Sequence, residues 1–138
     1  MPPAVWREVV VQGGSRYGAA DVAAAREAGW IRVVAPRDRS LVRELGQELH
    51  PGEAESIVLT LELHPEILLI DEAEARQAAG LHGLQVTGCV GILLRANEDH
   101  KIRSLRAELE RLQRHGNFWL GKPFIQEILS LAGKKEKS

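Results

Sequence analysis

Two short stretches of the chain set carboxylates close enough together to share a task. PGEAESIVLTLE (51–62) places Glu53 and Glu55 on either side of Ala54, and LLIDE closes on Asp71 and Glu72. On a helix, Glu53 and Glu55 fall about 100° to either side of Ala54, so both border whichever face Ala54 occupies. Carboxylates that converge on one point repel each other unless protons or cations intervene. An all-oxygen set suits Mg²⁺ or Mn²⁺. A divalent ion held in this way can activate water and stabilise phosphoryl transfer. Each acid also has a plainer reading. Glu53 would be a first-turn acid favoured by the helix dipole, and Asp71 and Glu72 would be ordinary strand-end acids.

Other chemistries find little support. The five histidines (50, 64, 82, 100 and 115) show no HxxxH or HExxH spacing, which argues against zinc. No GxSxG, P-loop or GxGxxG occurs. Cys89, the one cysteine, excludes an internal disulfide, fits a reducing compartment and reads as a small buried hydrophobe.

The elements that must position the acids follow from periodicity and punctuation. MPPAVWREVVVQG predicts a short helix after a proline first turn, with Val5, Val9 and Trp6 facing inward and Gly13-Gly14 as its stop. GAADVAAAREAG predicts a second helix ending at Gly29. WIRVVAP (30–36) predicts a strand, and 40–49 a short helix. In 52–63, Ala54, Ile57, Val58 and Leu61 recur at i, i+3, i+4, i+7, which predicts a buried helix that His64-Pro65 ends. Residues 66–72 lack polar alternation and predict a strand covered on both faces. Helices over 72–83, from Cys89, over 101–116 and over 122–133 flank a strand at 84–88. The stripe of Ile102, Leu105, Leu109 and Leu112 is expected to pack into the core.

Alternating strands and helices indicate an α/β domain with a parallel sheet. Ligands of such sheets bind beyond the carboxyl ends of the strands, where Asp71 would lie. At 138 residues the chain has the length for one domain with a real core, taken as 1–133, with 134–138 as a disordered basic tail. No apolar run approaches the roughly 20 residues of a membrane span. With no secretory signal visible, the expected location is cytoplasmic. Net charge is −1, but residues 51–94 carry one Arg against seven acids, and residues 95–138 carry ten Lys or Arg against six. That split suits a cation site beside a polyanion-binding rim.

Four segments, PPAVWREV, PGEAESIVLTLEL, LLIDEAEAR…GLQVTGCVGILLRA and FIQEILSLAG, together resemble the PIN-domain proteins over nearly the whole chain. Within these, they are similar to the branch related to VapC-type toxins. The resemblance implies a three-layer α/β/α sandwich with a central parallel sheet, and a Mg²⁺- or Mn²⁺-dependent ribonuclease with several acids around the metal. On the family's pattern, the early-helix glutamate matches Glu8, the acid opening the mid-chain helix matches Glu53 or Glu55, and the acid ending the next strand matches Asp71 or Glu72. Flap endonucleases, distant structural relatives, carry a similar GEAE and use both acids. Thr87 in VTG is placed to touch such a site, and Arg95, Lys101 and Arg103 to steer RNA phosphates.

The resemblance further implies RNA as substrate and a small antitoxin protein as partner. The family opens on a strand bearing an Asp in a D.SPLI-like motif, which has no counterpart before MPPAVW. The chain therefore reads as an N-terminally truncated member whose sheet keeps unpaired edges, and self-association as a homo-oligomer is expected to cover them. The alternative function is a catalytically inactive interaction or dimerisation module. A receiver-like or flavodoxin-like domain fits less well, because it needs a later strand-end Lys.

Overall fold

The computed structural model describes residues 1–116 and 118–136. The chain divides into two compact units, Met1–Val86 and Thr87–Ser138.

The first unit opens with α1 (Pro3–Trp6), which continues as a π-type turn over Arg7–Val11. There the Gln12 amide donates to the Arg7 carbonyl at 2.7 Å. This wider turn leaves Val9 36% exposed, although Ala4 is buried as a helix facing the core requires. α2 (Ala19–Glu27) leans on α1 through the Arg26 guanidinium, 4.4 Å from the Trp6 ring centroid. α3 (Arg39–Leu45) is capped by Asp38, whose side chain accepts from the Leu41 amide.

α4 (Pro51–Leu63) is the axis of this unit. Of the predicted face Ala54, Ile57 and Val58 are buried while Leu61 is half-buried, and Leu59 and Thr60 on the other side are buried as well. Its hydroxyls turn back on their own helix, Ser56 to the Gly52 carbonyl and Thr60 to the Ser56 carbonyl, so no donor is left unsatisfied. His64 ends it in a left-handed conformation at φ 50°. The core joins α4 to α3, β1 (Leu68–Leu69) and α5 (Ala73–Leu81), with Ala54, Ala75 and Ala79 at its centre.

β1 pairs with β2 (Val86–Thr87) in a small parallel two-stranded sheet, where the Leu68 amide donates to the Gln85 carbonyl at 2.9 Å. The α/β class holds, in a mostly helical form, but the strands differ from expectation in two ways. Segment 30–36 is not a strand: residues 30 and 31 bend and 32–36 take no regular structure. Its Trp30 and Ile31 amides donate back to the Ala25 carbonyl, at 2.9 and 3.3 Å, and Met1 pairs further along, its nitrogen donating to the Arg32 carbonyl at 2.7 Å and its carbonyl accepting from the Val34 amide at 3.0 Å. Residues 66–72 are also not covered on both faces: Leu68 and Ile70 are buried, whereas Ile67 and Leu69 are 47% and 59% exposed. Alternation reappears because only one face of the strand meets the core.

The second unit holds α6 (Cys89–Glu98), α7 (Leu105–His115) and α8 (Lys122–Glu136). Leu105 and Leu109 are buried against Leu120, Ile128 and Ala132, with Ile102 and Leu112 packed alongside, as the stripe predicted. Ser104 caps α7 by accepting from the Ala107 amide. Cys89 is half-buried rather than sealed in the core. α8 runs through Gly133 to Glu136, so 134–136 are helical rather than a disordered tail; 137 and 138 lie outside the described residues.

Candidate acidic site

The site begins with the way α1 meets α4. Pro2 and Pro3 have no amide hydrogen, so Ala4 offers the first free donor of α1. Glu55, on the buried side of α4, fills it: its Oε2 accepts from the Ala4 amide at 2.9 Å. Its Oε1 takes the Arg39 Nη1 at 3.3 Å. The Glu55 side chain is 6% exposed and that of Arg39 54% exposed, so the acid is buried and its ion-pair partner reaches in from the surface.

One helical turn further along α1, Glu8 lies over Gly52. A Cβ built on Gly52 would stand 3.2 Å from Glu8 Oε1, 3.4 Å from Oε2 and 3.2 Å from Val5 Cγ2. Glycine at this buried position is what admits the Glu8 carboxylate to the first turn of α4. Ala4 meets Glu55 while Glu8 meets Gly52, so the two helices run antiparallel in register. Glu53, the next residue, is half-buried, and its Oε2 accepts from the His50 amide at 3.1 Å. The first turn of α4 therefore gathers Glu8 and Glu53 at the positive end of the helix dipole.

Asp71 and Glu72 follow the buried Ile70 and are both exposed, with Glu72 as the N-cap residue of α5. Among the described residues no three His, Cys, Asp or Glu are grouped to hold a metal ion. Thr87 belongs to the second unit, and its hydroxyl lies against Gly91 on the first turn of α6.

Three features escape a reading of the sequence. Arg39 is one, since nothing local marks it as the partner of Glu55, sixteen residues away. Gly52 is another, although a glycine in the first turn of a buried helix is a visible sign of close approach. Glu62 is the third. Its carboxylate accepts from the Arg37 amide at 2.8 and 3.0 Å and from the Asp38 amide at 2.9 Å, tying α4 to the start of α3. The Asp38 and then the Arg37 amides hold its carboxyl below the usual glutamate value. Beside α5, a groove of about 490 Å³ is lined by the apolar Leu49, Ala78 and Leu81 together with Gln77 and the acids Glu48 and Glu74.

Residues 1–134 match the family model DUF3368, a PIN domain. No curated protein and no solved structure shows a significant match to the chain.

Proposed function

The chain belongs to the PIN-domain family, and on that premise we propose that it is a nuclease of the VapC-like branch that cleaves RNA, the toxin of a toxin–antitoxin pair. One observation carries the reading: the Glu8 carboxylate lies over Gly52, beside Glu53, at the N-terminus of a buried helix. Acceptor oxygens on α1 and on the first turn of α4 can orient a water toward a phosphodiester and take its proton. Asp71 and Glu72, exposed past the end of β1, can join them in contacting substrate.

Mg²⁺ or Mn²⁺ is the cofactor the family implies. The described acids do not by themselves build its cage, because no three of them are grouped to hold an ion and both Glu55 oxygens are engaged. Glu55 accordingly acts as a positioning residue that fixes α1, and with it Glu8, against α4.

The proposed architecture is a three-layer α/β/α sandwich, and the proposed location is cytoplasmic. No helix among the described residues is long and apolar enough to cross a membrane. For the antitoxin, the groove lined by apolar and acidic residues suits a segment bearing a basic side chain between apolar ones. Exposed Leu63, Ile67 and Leu69 at and before β1 suit self-association.

The test is thermal unfolding of the chain against Mn²⁺ concentration, with cleavage of a fluorescent single-stranded RNA measured in parallel. A ligand that binds only the folded state raises the midpoint. The expected result is cleavage by the wild type, abolished in Glu8→Gln and Glu53→Gln, with an Mn²⁺-dependent rise in midpoint. Absence of both cleavage and rise refutes the nuclease reading and leaves the interaction module.

A further inference from the structure

We propose that Trp119 is a base-stacking residue that grips single-stranded RNA on the second unit. The proposal rests on the RNA-cleaving reading above and adds a binding residue to it. Trp119 is 86% exposed, although it sits beside the buried Leu120 in the connection between α7 and α8. Its six-membered ring lies 3.5 Å from where a Cβ on Gly121 would stand. The indole thus lies against Gly121 while most of its surface stays open. Phe124, 42% exposed, follows on the first turn of α8.

The charge of its unit selects the partner. Residues 87–138 hold ten Lys or Arg against six acids, a net +4, whereas residues 1–86 hold eight Arg against thirteen acids, a net −5. In the second unit Arg95 is paired with Asp99 and Arg111 with Glu108. Lys101, Arg103, Arg106, Arg114 and Lys122 are exposed and make no ion pair among the described residues. Exposed cations on the unit that carries this open indole repel a basic protein surface and attract a phosphate backbone. Single strands present unstacked bases that an aromatic face can take, and each stacked base contributes appreciably to binding without reading its identity. Trp30 provides an internal comparison, being equally exposed at 86% but lying in the unit of net negative charge.

The experiment titrates the full chain with a short 2′-O-methyl oligouridylate, which cannot be cleaved, and follows intrinsic tryptophan fluorescence and anisotropy of a label on the oligonucleotide. Wild type, Trp119→Leu, Trp119→Phe and Trp30→Leu are compared, alongside the RNA cleavage assay. Trp119→Leu is expected to raise Kd roughly 5- to 100-fold. Trp119→Phe, which keeps a ring, should recover most of the loss, and Trp30→Leu should bind like wild type. The proposal is overturned if Trp119→Leu binds as tightly as wild type, if Trp30→Leu is equally damaging, or if the wild type does not bind the oligonucleotide. It is also overturned if Trp119→Leu changes only self-association, which would assign the ring to a protein contact. Cleavage separates the two ideas: a wild type and a Trp119→Leu variant that cleave equally well sink the stacking role and leave the nuclease standing. Oligonucleotide binding that depends on Trp119, with no cleavage by the wild type, does the reverse.

Discussion

Replacing Glu55 separates a positioning role from a direct catalytic one. In Glu55→Ala the Ala4 amide loses a charged acceptor at 2.9 Å in a buried setting. A hydrogen bond to a charged group contributes about 1.5–3 kcal/mol, and an orphaned buried donor costs a comparable amount. The Arg39 pair adds little, about 0.2–1 kcal/mol, because its guanidinium is half in water. The expected loss is about 2–4 kcal/mol for Glu55→Ala. Glu55→Gln keeps an acceptor oxygen for Ala4 and should lose about half as much. Arg39→Ala should cost no more than about 1 kcal/mol. Urea unfolding followed by circular dichroism measures these differences, and amide hydrogen exchange at Ala4 reports the bond itself. Faster exchange at Ala4 in Glu55→Ala, together with a lower urea midpoint, is the expected pair of results. A Glu55→Ala protein that unfolds within about 0.5 kcal/mol of wild type, the range of ordinary surface substitutions, yet cleaves no RNA would falsify the positioning role and make Glu55 a group that contacts substrate or ion.

Gly52→Ala brings a methyl to 3.2 Å from the Glu8 carboxylate and from Val5; Glu8 is exposed and can swing away. RNA cleavage should therefore fall at least tenfold while stability stays within about 1 kcal/mol of wild type, since Ala also favours the helix; unchanged cleavage would remove Glu8 from the site. The Glu62 carboxyl is held below its ordinary value of 4.5, so its contribution is complete above that pH and is lost as pH falls through the lower folded value. The stability difference between wild type and Glu62→Gln should accordingly be constant near neutrality and shrink in acid, and a difference that grew in acid would contradict the assigned bonds. Leu69→Lys, at a residue 59% exposed on β1, should leave the melting midpoint unchanged while lowering the dimer fraction in light scattering; an unaltered dimer would exclude this strand from the contact.

The helices were legible in the sequence and the strands much less so, for a physical reason. A helix satisfies its backbone from its own chain, so the spacing of Ala54, Ile57 and Val58 and that of Leu105, Leu109 and Leu112 suffice to place α4 and α7. A strand borrows its hydrogen bonds from a neighbour. Segment 30–36 has the composition of a strand, yet its first two amides turn back to Ala25 and its bonds to Met1 do not extend into a ladder. The apolar run at 66–70 pairs over only two residues, and the exposure of Ile67 and Leu69 depends on which layers surround the sheet, which composition does not encode.

The acids follow the same logic one level up. Residue type identified Glu8, Glu53, Glu55, Asp71 and Glu72 as a set with a shared chemistry, but type does not say which donor reaches each carboxylate first. For Glu55 the answer lies 51 residues away at Ala4, and it traces to Pro2 and Pro3, which have no amide hydrogen to offer at the start of α1. That bond sets the height of α1 on α4, and the height places Glu8 over Gly52. The paired glutamates of GEAE thus divide their labour. Glu55 faces inward and fixes the geometry, whereas Glu53 stays half-exposed and bonds to the His50 amide. Two carboxylates separated by one alanine fall on opposite flanks of the buried face, and on this helix one flank meets α1 while the other meets solvent.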